Sequence, residues 1–469
     1  MRFQLACLFL IQVLFLQSQP LPTNGLEASN PEFIAITNVQ IVVSPTQTID
    51  RGTILLKGNS IFKVGKDVNI PKNALIKDYS GLTLVPAFIE VATDYGVPKA
   101  QARKHDHRPQ LDTKKEGAVY WNEAIQAEVN AKNLFHPDKE KAKHCQAMGF
   151  GFGMTHQQNG LIRGAGVAVA FGDHSANEAI IHPQQAGFLS FQKGVSRQTY
   201  PSSQMGSIAL IRQALYDAQY YAENHKTLPT NITLSALNEI KKMPLFFELQ
   251  EHLEINRADK IAKEFQLNTF YIGSGDEYQA IRTFPENFSG VFVPVKYPDA
   301  YDVQDPYVAR QIPLKDLKHW ELAPSNAAFL REKNIPIGIT SKGNNKPDEF
   351  WKNLRIAISR GLSREDALKA LTVFPAQCLG IPDIGTLEEG KLASFSVFSG
   401  DPFVYEDAQL LAFWSLGEEN IHKELPGNDM RGKYNLTFAG EEIYGLKIEG
   451  TTLSPTAKVN FTPTNNVDE

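Results

Sequence analysis

Cysteine is scarce, with three residues in 469, and that excludes a fold stapled by disulfides. A chain of this length buries roughly three quarters of its unfolded surface and needs no staples. An excess of charge of one sign is lacking too. Against 47 lysines and arginines stand 52 aspartates and glutamates, for a net charge of −5. No general field therefore draws anionic lipid, and the missing basic patch argues against a nucleic-acid partner. No apolar run reaches the ~20 residues that a membrane span needs. A Gly-x-Ser-x-Gly elbow, a P-loop and a dinucleotide fingerprint in strand-turn-helix context are also absent. With 42% hydrophobic and 21% charged residues, what remains is an ordinary globular composition.

The chain opens with Met1-Arg2, runs apolar from Phe3 to Leu16 and breaks at Gln17-Ser18-Gln19-Pro20. A basic start before a short apolar stretch predicts a secretory signal peptide over residues 1–19, and hence an exported protein, periplasmic or extracellular. No integral membrane span is expected once that segment is removed. Cys7 lies inside the stretch, not at its end behind small residues, so it does not have the setting of a lipid-anchored cysteine. Cys145 and Cys378 could form at most one disulfide, and two buried thiols is the plainer reading.

Short strand patterns follow at Phe33 to Thr37, Val39 to Val43, Gly52 to Lys57 and Ile61 to Val64, punctuated by Asn38, Ser44-Pro45 and Gly58-Asn59. After Leu84-Val85-Pro86 the texture changes. Helical patterns at Val119 to Phe135, Asp138 to Met148, Gln204 to Asn224, Arg257 to Phe265, Asp348 to Arg360 and Ser363 to Leu371 alternate with apolar runs. Those runs are Gly153 to His156, Leu245 to Leu249, Thr269 to Ile272, Val291 to Val295 and Ile335 to Thr340. Such alternation over nearly 300 residues predicts an α/β fold with a parallel sheet, and its length fits a (β/α)₈ TIM-like barrel with insertions. Strand texture returns at Phe395 to Phe398 and Leu410 to Phe413. The expected organisation is a barrel over residues 86–379, flanked by a composite β-sandwich from residues 31–85 and 380–425. A β-rich extension over residues 430–469 completes it, too small for a core of its own.

Several motifs carry a resemblance. Ile36-Thr37-Asn38-Val39, Gly52-Thr53-Ile54-Leu55-Leu56 and Gly81-Leu82-Thr83-Leu84-Val85-Pro86-Ala87-Phe88-Ile89-Glu90 stand near the start. Leu371-Thr372-Val373-Phe374-Pro375-Ala376 and Gly385-Thr386-Leu387-Glu388-Glu389-Gly390-Lys391 stand near the end. In this order they resemble the amidohydrolase superfamily, particularly its imidazolonepropionase-like branch, over residues 33 to 425. The resemblance implies a barrel flanked by a composite sandwich and hydrolysis of C–N bonds by a metal-activated water. Tyr200-Pro201-Ser202-Ser203-Gln204-Met205-Gly206 and Ala323-Pro324-Ser325-Asn326 are similar to the first half of secreted bacterial tandem amidohydrolases. That similarity implies a downstream catalytic copy as partner.

The metal ligands that the resemblance implies have changed. Residues i and i+2 of a strand point the same way, so a His-x-His pair on the first barrel strand can place two imidazoles on one metal. The register from Pro86 puts Ala92 and Asp94 there. Glu248 takes a later histidine position, Ser274 lies where another histidine is expected, and Ser341 or Lys342 replaces the final aspartate. An ammonium at an acid's place repels a divalent cation. The expectation is a non-catalytic exported domain with no cofactor, in which Lys342 pairs with Asp94 or Glu248. The alternative is a hydrolase with a rebuilt site, where Asp94, Glu248 and His156 hold a divalent metal such as zinc. A third reading is a ligand-binding module that uses the barrel mouth without chemistry. His156 ends an apolar run and is the candidate mouth residue. His105-Asp106-His107 reads as a solvated loop, while His252, His319 and His422 read as structural histidines. Gly273 to Glu277 reads as a tight turn more readily than as an anion cradle, and Lys193 is a weak candidate for a carbamylated ligand.

Overall fold

The computed structural model describes residues 31–101, 113, 115–285, 287–425, 429–438 and 441–460. The segment read as a signal peptide, with Cys7, and the His105-Asp106-His107 triplet lie outside the described residues.

Five strands come first: β1 Ile34–Ser44, β2 Gln47–Lys57, β3 Ser60–Gly65, β4 Leu75–Asp78 and β5 Thr83–Pro86. The barrel then takes eight: β6 Phe88–Thr93, β7 Phe150–Thr155, β8 Ile162–Ala170, β9 Ile180–Ser190, β10 Leu245–Glu248, β11 Thr269–Ile272, β12 Val291–Pro294 and β13 Ile337–Thr340. After it come β14 Phe395–Phe398, β15 Leu410–Ser415 and β16 Glu418–Ile421, then β17 Gly432–Phe438, β18 Glu441–Gly450 and β19 Pro455–Asn460.

Both ends of the chain meet in one flanking sheet of order β16-β15-β14-β5-β1-β2-β3, with β4 on β1. Its centre is the antiparallel pair β5–β14, in which Leu84 lies opposite Val397. Ile36, Ile41, Ile54, Leu84, Phe395, Val397 and Trp414 bury their side chains in a shared core. β17, β18 and β19 form a separate antiparallel sheet.

The barrel strands are neighbours in chain order from β6 to β13. They are not all parallel. β8 pairs antiparallel with both β7 and β9, whereas the other neighbouring pairs run parallel. The expected parallel sheet is interrupted at this strand. The first residues of an antiparallel strand lie at the same end as the last residues of its neighbours, so Ile162 and Arg163 belong to the C-terminal mouth of the barrel.

Helices form where caps and apolar stripes coincide. Ser203 accepts from Gly206 N at 3.2 Å to start the helix Gln204–Asn224, whose buried Leu210, Ile211, Ala214, Leu215 and Ala218 make one face. Ser363 caps Arg364–Leu371 by accepting from Asp366 N at 2.9 Å. The helix expected over Val119 to Phe135 does not form, and only the short 3₁₀ turn Ala131–Asn133 appears there. Asn122 and Asn130 turn their side chains onto Ala124 N and Lys132 N, while Ile125 and Asn130 make parallel bridges to Ile162 and Ala165 of β8. Local side-chain competition and a sheet partner override the helical period. The approach is close enough that a Cβ on Gly164, which has φ +85°, would collide with the Val129 carbonyl. Cys145 and Cys378 are free thiols. Among the described residues no helix is long and apolar enough to cross a membrane.

Candidate functional site at the barrel mouth

β10 ends in Glu248, placed by its ladder partners Ser190 of β9 and Ile272 of β11. Its carboxylate is clamped from two sides. Arg163 donates from Nη1 to Oε2, and Lys342 Nζ lies 2.7 Å from Oε1. The side chains of Arg163, Glu248 and Lys342 are 6%, 20% and 34% exposed. Burial alone would raise the Glu248 carboxyl, but the two cations outweigh it and hold the group down to about 2. Arg163 is fixed further by donating from Nε to Gly160 O at 3.2 Å. The pairing expected of Lys342 thus forms with Glu248. Asp94 takes no part in it, and its carboxylate instead lies 3.8 Å from the exposed Lys99.

His156 follows β7 and donates its backbone N–H to Thr93 O at 3.0 Å. Its ring is buried, stacked on Phe188 at 3.6 Å between centroids, and neither ring nitrogen has a hydrogen-bond partner. Burial, reinforced by Arg163 and opposed by Glu248, holds its pKa well below the usual imidazole value, so it stays neutral.

Glu90, two residues before Ala92 on β6, was not singled out in the sequence as a site residue. It is buried, and it accepts from Thr340 Oγ1 at 2.8 Å, Ser341 N at 2.7 Å and Ser341 Oγ at 2.7 Å. Burial pushes its carboxyl up, against the pull of these donors. The first and last barrel strands are thereby stitched together. Ala92 adds only its backbone N–H, 3.4 Å from Glu90 Oε1.

Ser274 turns its hydroxyl to Asp276 and, with Gly275 N at 3.0 Å, its backbone N–H to Glu277 Oε1. The turn after β11 is therefore filled by its own carboxylate. His252 lies 2.6 Å from Asp276, His319 3.1 Å from Tyr278 Oη and His422 3.2 Å from Gln146 Oε1. Lys193 donates to Gln198 O at 3.0 Å.

These residues do not suit a divalent metal. Glu248 is neutralised by two cations, Ala92 has no donor side chain, and Asp94 faces Lys99. Among the described residues no group of three or more His, Cys, Asp or Glu side chains is arranged to hold a metal ion. Asp94, Glu248 and His156 are not brought together as a ligand set.

Residues 251–428 match the model of the amidohydrolase family. An amidohydrolase from Thermotoga maritima MSB8 is similar in structure, with a TM-score of 0.65 and 23% identity, over 82% of this chain and 99% of that one. A beta-aspartyl dipeptidase from Fervidobacterium islandicum AW-1 aligns at a TM-score of 0.48 and 14% identity, over 85% of this chain and 99% of that one. A putative prolidase from Bifidobacterium longum aligns at 0.45 and 13%, over 83% and 95%. No curated protein matches the chain.

Proposed function

We propose that this chain is a non-catalytic amidohydrolase-fold domain of an exported protein, in which a fixed ion cluster occupies the metal position. The observation that carries the reading is Glu248. Each of its oxygens is held by a cation, one from β8 and one from the residues after β13. A divalent ion at that carboxylate would sit a few ångströms from both a guanidinium and an ammonium, and at short range that repulsion exceeds what one carboxylate returns. Ala92 offers nothing in compensation. The opening Met1 to Leu16 pattern supports export, and the resemblance to tandem amidohydrolases supports a catalytic copy as partner; the coding sequence downstream of Glu469 tests that part.

Metal analysis of protein purified from zinc- and manganese-supplemented cultures tests the central claim. Substoichiometric metal is expected, together with no turnover of dipeptide, dihydroorotase-type or imidazolone substrates. Stoichiometric metal lost on Glu248→Ala would overturn it.

A further inference from the structure

The mouth holds more donors than its own carboxylate can use. A guanidinium carries five N–H groups and an ammonium three. Arg163 uses Nε on Gly160 O and Nη1 on Glu248, and Lys342 meets Glu248 alone through Nζ. No other acceptor among the described residues takes either head group. The neighbouring acids are engaged elsewhere: Glu90 by Thr340 and Ser341, Asp94 by Lys99, and Glu277 by backbone N–H groups. Glu248 sets one oxygen on each cation, so the spacing of the pair is that of a carboxylate. Near Arg163 and Glu248 the buried His156 ring has both nitrogens unpartnered. An unsatisfied buried polar group next to a guanidinium with unused donors marks a place completed from outside the chain.

We propose that Arg163 and Lys342 form a seat for the carboxylate of a small organic acid. It enters past the partly exposed Lys342 and competes with Glu248, the tethered carboxylate that fills the seat in the free protein. The ligand class rests on the reading above that no metal occupies this position.

Calorimetric and thermal-shift titrations of the full chain with succinate test the seat, with inorganic phosphate and chloride at matched ionic strength as comparison arms. A saturable rise in Tm with succinate is expected, because a ligand that binds only the native state stabilises it. Glu248→Gln keeps the shape but removes the competing charge, and should tighten succinate about tenfold, whereas Lys342→Met should weaken it about tenfold. Lys342→Gln is the second variant should Lys342→Met fold poorly. No saturable shift in either the native protein or Glu248→Gln overturns the seat, as does a Lys342 variant that binds like the native protein. Phosphate binding as tightly as succinate, with the same response to the variants, overturns the carboxylate assignment. Metal analysis of the same samples separates the two claims. Stoichiometric metal removes the non-catalytic reading, while metal-free protein indifferent to succinate removes only this one.

Discussion

Arg163 and Lys342 hold the two oxygens of one carboxylate, yet their burial makes them unequal. With Arg163 removed, Glu248 keeps only a partner that is one-third exposed; with Lys342 removed, it keeps a guanidinium that is 6% exposed. Arg163→Met should cost about 3–5 kcal/mol and Lys342→Met about 1 kcal/mol in urea unfolding at pH 7. Equal losses would contradict this ranking. His156 presents the opposite case, a buried group whose polarity stabilises nothing visible. His156→Phe keeps a ring on Phe188 and removes two desolvated nitrogens, so at pH 7 the variant should match the native protein or gain about 1 kcal/mol. The pH dependence has a definite sign. An imidazole held below its free value contributes stability above about pH 6.5 and loses it as pH falls, because the unfolded chain takes up a proton that the folded one refuses. The native protein should therefore weaken between pH 7 and 5.5 more steeply than His156→Phe. Glu248 acts lower, its contribution fading as pH falls from the usual carboxylate value toward about 2, so it leaves this window undisturbed. Parallel stability curves for the two proteins between pH 7 and 5.5 would remove the assignment to His156.

At the scale of elements, the barrel seam is the informative place. β6 and β13 share no ladder, and the Glu90 carboxylate joins them through Thr340 and Ser341. Glu90→Ala would leave Ser341 N and Thr340 Oγ1 facing a buried gap, at about 2–4 kcal/mol. Amide exchange at Ile339 to Ser341 should speed up beyond the global effect, and unchanged protection there would refute the stitch. Of the strands that flank this seam, β13 was legible as an apolar run and β6 through the family resemblance, and the helices were legible through caps such as Ser363. β8 and β9 were not. Gly164, Gly166 and the alanines of β8 give little strand signal, since such residues are depleted from strands, and pairing direction leaves no local trace in the sequence. The same gap hid part of the site. Glu248 and Lys342 follow from the family resemblance, as the positions that stand where its ligands are expected, and His156 from the end of an apolar run. Arg163 reaches the mouth only because an unread strand runs backwards. Glu90 carried a signal of its own, an acid two residues before Ala92 in an otherwise apolar strand.

For the whole molecule, the two terminal sheets make different demands on the chain. β14 and β15 complete the core that β1, β2 and β5 begin, and Phe395, Val397, Leu411, Phe413 and Trp414 are all buried within it or against the barrel. At about 1.5–3 kcal/mol for each large apolar side chain, their loss together is as large as the 5–15 kcal/mol by which domains are stable. A chain ending at Leu379 should therefore not fold, although it retains every barrel strand. Among the described residues, the β17–β19 sheet and its flanking loops touch the main body through a few polar contacts. Arg431 donates to Gly81 O, Thr452 donates to Ser399 O at 2.9 Å, and Thr451 lies 3.2 Å from Asp407. At about 1 kcal/mol each, such contacts are dispensable. A chain ending at Leu425 should keep its near-ultraviolet circular dichroism and lose less than about 10 °C in Tm. Collapse of that truncated chain would mean that the C-terminal sheet is part of the folding unit, and folding of the Leu379 chain would mean that the barrel closes without its flanking sheet.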